Sequence, residues 1–321
     1  MINQVVAATF SIGNLDLIYN NEYSFSLPRN VLETYIFGTA FENKEAYTLD
    51  EIKKTEADTT DLFHKMVFTD PSHGKVAVLT AGAPGAGKTV KMEQELEFYA
   101  KQGRKYPYVD PDAVALKSGM PRTYSVEVAN GDGSPEARSR AYHKWRSASN
   151  AVTQLILAHL IKQNSSFYYG TTSTAPKTGI FLNFLKTRGY KIKFIHITAS
   201  DEVRYESIKE RDKTFIQTTE KDIKGKGVDL PQRIKDTYLA FADEILFCYR
   251  DGVKSDAKLC AKWLRNTKPA DHLGTLLITD QEGYSNIKQY HNAACQALNK
   301  PELLWESTVE KESECYQARA L

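Results

Sequence analysis

Short apolar runs alternate with stretches of helical spacing through the middle of the chain. Residues 75–80, Lys-Val-Ala-Val-Leu-Thr, form an apolar run that predicts a strand, and residues 90–99 carry a helical pattern. Residues 106–109 predict a second strand. The turn-rich run Asn130-Gly131-Asp132-Gly133-Ser134-Pro135 predicts a loop, and 136–163 a long helix with Leu155, Ile156, His159 and Leu160 on one stripe. Phe167-Tyr168-Tyr169 reads as a third strand, followed by a helix through Phe181, Leu185 and Lys186, a strand at 193–198, helices at 200–213 and about 232–242, and a last strand at 244–249. Strands and helices alternating at this length predict an α/β fold: a P-loop NTPase-type parallel sheet with helices on both faces. The pattern fades at either end. Residues 1–70 are aromatic-rich to Phe41 and polar from Glu42 to Thr60, and 268–321 read as a small helical tail. The expected organisation is an N-terminal appendage over 1–70, one catalytic domain over 71–267 and a C-terminal helical tail over 268–321, both appendages mainly helical.

Charge adds little to this picture. The 42 Lys+Arg against 40 Asp+Glu leave a net charge of +2, so no global field argues for nucleic acid or a membrane surface. Cys248, Cys260, Cys295 and Cys315 are irregularly spaced, with no C-x-x-C pair, and are expected to be reduced thiols of a cytosolic protein. No run approaches the roughly 20 apolar residues of a spanning helix, and the start lacks a signal-peptide pattern.

The chemistry enters at Gly82-Ala83-Pro84-Gly85-Ala86-Gly87-Lys88-Thr89, between the first strand and the first helix. Only a turn with little side chain can wrap a phosphate chain with backbone N–H groups at a helix N-terminus. Gly82, Gly85, Ala86, Gly87, Lys88, Thr89 and Val90 are therefore the candidate nucleotide-binding residues, with Lys88 reaching the β- and γ-phosphates and the Thr89 hydroxyl on Mg²⁺. Hydrolases and kinases share this loop. Asp110-Pro111-Asp112, after the second strand, places two carboxylates at the sheet edge where ligands bind. Asp112 is the candidate base that takes the proton of an attacking hydroxyl, and Asp110 the metal or substrate partner; the alternative is an Asx turn closed by Pro111. Arg211, at the end of the 200–213 helix, is the candidate catalytic arginine. Lys213, Lys221, Lys224 and Lys226 have lid-like composition or form a solvated face. Trp145 and His159 read as core residues, with base stacking the lesser alternative for Trp145.

The order of these parts resembles the zeta-toxin family of P-loop kinases, from about residue 76 to 253. The loop GAPGAGKT, Asp110-Pro111-Asp112, Ser149-Asn150-Ala151-Val152-Thr153, Tyr169-Gly170-Thr171-Thr172, Lys209-Glu210-Arg211 and Tyr249-Arg250-Asp251-Gly252-Val253 carry the likeness. The resemblance implies that Lys88 and Thr89 bind ATP and Mg²⁺, that Asp112 is the base and Arg211 a catalytic arginine, and that Asp110, Gln154, Tyr169, Thr171 and Thr172 meet the substrate. It also implies a toxin or effector, cytoplasmic or secreted into a host cell, and an antitoxin partner covering the nucleotide site, by packing on residues 1–70. Where the family places glutamates that bind an amino-sugar, this chain has Tyr169 and Gln154. Tyr169, Gln154 and Trp145 would suit a flatter, ring-bearing ligand, so the acceptor is a pyridine dinucleotide such as NAD or UDP-N-acetylglucosamine, leaning away from the sugar. A polynucleotide 5′-hydroxyl kinase and a non-catalytic ATP-binding interaction protein are the rival readings.

Overall fold

Buried hydrophobic runs dictate the central strands. A computed structural model of the chain describes residues 48, 50–51, 74–112, 127, 130–174, 178–213, 223, 225, 227–266, 274–297, 299 and 309–312. The residues fall into two compact units, one centred on Tyr99–Gly170, the other on Val76–Phe98, 171–213 and the described residues from 223 onward. This division falls inside the stretch expected from the sequence to be one domain.

In the larger unit, β1 (Val76–Ala81), β4 (Lys191–Ala199) and β5 (Glu244–Arg250) pair in parallel, with Val78 opposite Lys193 and Ile195 opposite Leu246. Ala77, Leu79, Ile192, Phe194, Ile195, Ile245 and Phe247 are all essentially inaccessible, as strands covered on both faces require. The glycine loop follows β1 and opens α1 (Lys88–Lys101). The helix α3 (Thr178–Thr187) packs against β4, and α4 (Asp201–Asp212) follows that strand, capped by the Ser200 hydroxyl, which accepts from the Val203 N–H at 3.3 Å. The helix α5 runs from Leu230 to Phe241 through a π-helical turn at Ile234–Tyr238.

The C-terminal part departs from the sequence expectation. The strand at 244–249 is not the last: β6 (Lys258–Arg265) pairs antiparallel with β5, β7 (Gly274–Ile278) pairs antiparallel with β6, and β8 (Val309–Glu312) pairs parallel with β7. The region beyond 268 is thus strands as well as a helix, α6 (Gln281–Ala297). Gly283, Tyr284, Ile287, His291 and Cys295 form the buried stripe of α6, a spacing of three to four residues, and pack it on β4, β5 and β6.

In the smaller unit β2 (Tyr108–Val109) pairs in parallel with β3 (Phe167–Tyr169). The long helix α2 (Pro135–Lys162) is capped by Ser134, whose hydroxyl accepts from the Ala137 N–H at 3.1 Å, and buries Ala141, Trp145, Ile156 and Leu160. Tyr99, Tyr106 and Tyr168 form an aromatic cluster, with Tyr106 5.3 and 5.4 Å from the other two ring centres. The proposed N-terminal appendage lies almost wholly outside the described residues. Among the described residues, no helix is long and apolar enough to cross a membrane, and Cys248, Cys260 and Cys295 are buried and in no disulfide; Cys315 lies outside them.

Candidate active site

The glycine loop has the backbone that a phosphate cradle requires. Gly82, Gly85 and Gly87 stand at φ of 138°, 81° and 97°, a region that side-chain-bearing residues rarely adopt. Lys88 opens α1 and its Nζ folds back over the loop, donating to Gly82 O at 3.0 Å and Ala83 O at 2.9 Å. Thr89 follows in the first turn, half-buried; Ala86 is buried, whereas Val90 is 50% exposed.

Two arginines absent from the expected site stand against this loop. A Cβ on Gly87 would lie 2.8 Å from Arg250 Nη1, so glycine is what lets the guanidinium close on the loop. Arg250 is 6% exposed, donates Nη2 to Ser207 Oγ, and leaves its buried Nε without a partner among the described residues. Burial disfavours its charge. A desolvated cation with an open donor, beside backbone N–H groups at a helix start, fits the polyanionic tail of a nucleotide. The second, Arg204 on α4, is 2% exposed and donates Nε to Pro84 O at 2.9 Å. Both arise from contacts across more than a hundred residues of sequence. The signals available were that Arg250 falls at the end of a strand, within the motif Tyr249-Arg250-Asp251-Gly252-Val253, and that Arg204 shares a helix with Arg211.

Thr171 and Thr172 sit on a segment fastened to the end of β1. Thr80 Oγ1 donates to Thr171 O at 2.7 Å and accepts from Thr171 N at 2.8 Å, Gly82 N donates to Thr172 O at 3.3 Å, and Ser173 Oγ donates to Thr80 O at 2.7 Å. Arg211 ends α4, half-buried, with Nε and Nη2 on Asp212 Oδ1 at 3.1 and 3.0 Å. Lys221, Lys224 and Lys226, the proposed lid, lie outside the described residues.

Beneath the loop two imidazoles meet. His196 on β4 and His291 on α6 are buried, with Nε2 atoms 3.0 Å apart, and Thr198 Oγ1 lies 3.4 Å from His291 Nε2. Burial pushes His291 down to about 3; burial first, then the neighbouring His291 and Lys88, hold His196 well below the usual histidine range. Sequence reading passed over both, because a buried histidine pair is visible only once β4 and α6 are packed.

In the smaller unit the paired aspartates are organised by short-range geometry. Asp110, 7% exposed, accepts from Asp112 N at 2.7 Å and from Tyr108 Oη at 2.8 Å. The first of these closes the Asx turn that the sequence allowed as an alternative, so Asp110 has a structural task whatever else it holds. It packs over Gly170, where any Cβ would collide with its carboxylate. Asp112 is half-buried and ion-paired to Arg146 Nη1, and Ser149 Oγ donates to Pro111 O. Arg146 and Ser149 are one face of α2, three residues apart. Trp145 is 2% exposed and donates Nε1 to Glu127 Oε2 at 2.7 Å, while Lys144 bridges Glu127 and Glu51 at 2.6 and 2.7 Å. Trp145 is therefore core, which removes it from the ligand lining assumed for a flat substrate. Tyr169 ends β3, half-buried; Gln154 lies on α2 with its side chain outside the described residues.

The arrangement offers a phosphate cradle with buried cations in one unit and a positioned carboxylate pair in the other. Comparison with known proteins accords with it. The family model of the zeta toxin matches residues 60–244. Among solved structures, the AvrRxo1-ORF1:AvrRxo1-ORF2 complex with sulphate ions is similar at 12% identity over 85% of this chain and 94% of that one, with a TM-score of 0.50. The same pair with ATP gives 0.48 at the same identity and coverage. The PezAT chromosomal toxin–antitoxin system of the human pathogen Streptococcus pneumoniae gives 0.47 at 17% identity, over 64% of this chain and 79% of that one. At such identities the likeness concerns the fold. No curated protein matches the sequence significantly. The family match takes in the glycine loop, both aspartates and Arg211, over more than half of the chain, and so the chain belongs to the zeta toxin family of P-loop kinases.

Proposed function

We propose that this kinase moves the γ-phosphoryl group of ATP to a hydroxyl of a nucleotide-type metabolite, with a pyridine dinucleotide such as NAD ahead of UDP-N-acetylglucosamine. The observation that carries the donor side is the loop cradle: three glycines at positive φ, Lys88 folded over them, and the buried Arg250 with a free donor behind Gly87. Lys88 and Arg250 stabilise charge that develops on the transferred group, and Arg211 joins them on leaving Asp212. Mg²⁺, when bound, neutralises phosphate charge; Thr89 would hold it, with Asp110 in that shell or on substrate. Asp112, oriented by Arg146, accepts the proton of the attacking hydroxyl. Thr171 and Thr172 offer hydroxyls, and Tyr169 a ring, to the acceptor. Tyr169 now supports the flat-acceptor preference with Gln154 alone, since Trp145 is buried.

The family and the antitoxin named in the PezAT system support an antitoxin partner here, and AvrRxo1-ORF1:AvrRxo1-ORF2 is likewise a two-protein complex. In this reading the enzyme acts as a toxin in the cytoplasm or as an effector in a host cell. Co-purification of a neighbouring gene product tests the partner, and a lone monomer from operon expression counts against it.

The acceptor is tested with γ-labelled ATP against UDP-N-acetylglucosamine, NAD and a 5′-hydroxyl oligonucleotide. One labelled small-molecule product is expected; a labelled oligonucleotide would install the polynucleotide kinase reading, and no product with any acceptor the non-catalytic one. Asp112→Asn should lower transfer by about 10²- to 10⁴-fold while ATP affinity stays within a factor of about two. Retained turnover in that variant would remove Asp112 from the mechanism.

A further inference from the structure

Arg204 is held from four directions. Its Nε reaches Pro84 O at 2.9 Å, Nη1 reaches Asp201 Oδ1 and Tyr290 Oη, the latter at 2.7 Å, and Nη2 reaches Ile223 O at 3.2 Å. The guanidinium is a rigid planar fork, so fixing three nitrogens fixes the plane. One of those anchors, Tyr290, lies on α6, 46 residues beyond the end of the family match.

We infer that Tyr290 is a positioning residue for the nucleotide loop, acting through Arg204; the inference rests on the reading of this loop as an ATP site. In a trans peptide the carbonyl and the next N–H point in opposite directions. Arg204 draws the Pro84 carbonyl toward itself and thereby turns the Gly85 N–H the other way, which leaves it for a phosphate rather than for Arg204. Gly85 sits at φ 81° with no room for a Cβ beside the Arg204 backbone, so loop and α4 are in direct contact. The Tyr290 hydroxyl is a matched partner: it accepts from Arg204 Nη1 and donates to Asp201 Oδ1 at 3.3 Å. Burial pushes it up to about 12, so it keeps the proton it donates. The surroundings are closed: a Cβ on Gly227 would lie 3.1 Å from Tyr290 Oη, 3.3 Å from Arg204 Nη1 and 3.5 Å from Ala83 Cβ. Next to Tyr290, His291 pins α6 to His196 on β4, which keeps the hydroxyl from drifting along the helix axis.

The α6 helix is then a working part of the nucleotide site, and loss of one oxygen atom on it should be felt by ATP. The experiment compares wild type, Tyr290→Phe and Ile287→Val by calorimetric titration with ATP, by thermal midpoint, and by KM for ATP against kcat. Ile287 is fully buried on the same helix and its aliphatic side chain makes no hydrogen bond, so its truncation reports packing. Tyr290→Phe is expected to weaken ATP binding about tenfold, with KM raised and kcat within a factor of about three, since a hydrogen bond to a charged group is lost. Ile287→Val is expected to lower the thermal midpoint and leave ATP affinity unchanged. A Tyr290→Phe variant that binds ATP as wild type does, or an Ile287→Val variant that loses as much affinity, overturns the inference. A wild type that binds no ATP overturns the donor reading and this inference with it.

Discussion

Gly87 and Gly103 make a useful pair, because the same substitution meets different surroundings. Both have positive φ, 97° and 76°, and both would pay the left-handed strain of about 1–2 kcal/mol on becoming alanine. At Gly103 nothing lies within 4 Å of the new Cβ, so that strain is the whole effect. At Gly87 the Cβ would meet Arg250 Nη1 at 2.8 Å and Cδ at 3.1 Å, and Arg250 is itself buried and tied to Ser207. Gly87→Ala should therefore destabilise by more than Gly103→Ala, about 2 kcal/mol or above, and abolish ATP binding that Gly103→Ala retains. Denaturant unfolding and ATP titration of the two variants check this; equal effects would show that Arg250 yields freely and does not close the cradle. The loop itself was legible because its glycines act locally. The task of the arginines behind it was not, since Arg204, on one helix with Arg211, and Arg250, within the motif Tyr249–Val253, reach Pro84 and Gly87 only once α4 and β5 are packed.

At the scale of elements, α6 is where stability and pH meet. The contact of His196 and His291 through their Nε2 atoms allows one donor and one acceptor, so a proton on both would set two N–H groups against each other. The facing groups are the two imidazoles, Thr198 Oγ1 and the Lys88 ammonium, with the rings of Tyr238 and Phe247 about His196. Folded-state values lie below the ordinary 6.5, so the unfolded chain binds protons that the folded one refuses. Stability is full above about pH 6.5 and falls as pH drops below it, by at most about 1.4 kcal/mol per pH unit for each histidine. The thermal midpoint should be flat from pH 8 to 7 and fall between 6.5 and 5, above the range of most carboxylates, and His291→Asn should flatten that fall. An unchanged slope in the variant would place the sensitivity elsewhere. The helix was legible as a tail, but its strands were not. In β6, Lys258–Arg265, Lys258 and Leu259 are exposed, Cys260 and Ala261 are both buried, and Trp263 is buried alone, a broken alternation without a period to read, and β7 and β8 are only five and four residues long. The first five strands announced themselves more clearly because buried parallel strands are short apolar runs, or, in β2 and β3, aromatic pairs flanked by turn signals.

For the molecule as a whole the near-balance of charge, +2 over 321 residues, favours the proposed small acceptor over nucleic acid. A protein that grips six to ten phosphates of a polynucleotide loses about 10³- to 10⁵-fold in affinity between 50 and 200 mM salt, through release of counterions. Among the described residues the cationic groups about the loop face inward: Lys88 bonds the loop carbonyls of Gly82 and Ala83, Arg204 is enclosed, and Arg250 is 6% exposed. On α2, Lys144 and Arg146 are matched by Glu127, Glu51 and Asp112. Among the described residues, charges so paired give no extended track for a polynucleotide backbone, whereas Lys88 and Arg250 at the loop suit one nucleotide tail. Raising salt from 50 to 200 mM with Mg²⁺ and ATP held constant should lower kcat/KM for the small acceptor by less than about tenfold, the effect of one or two phosphate contacts. The measurement is a steady-state series in NaCl with the acceptor found by labelling. A drop of a thousandfold would mean that the acceptor is held by many phosphates at once, and the small-metabolite reading would give way to a polynucleotide one.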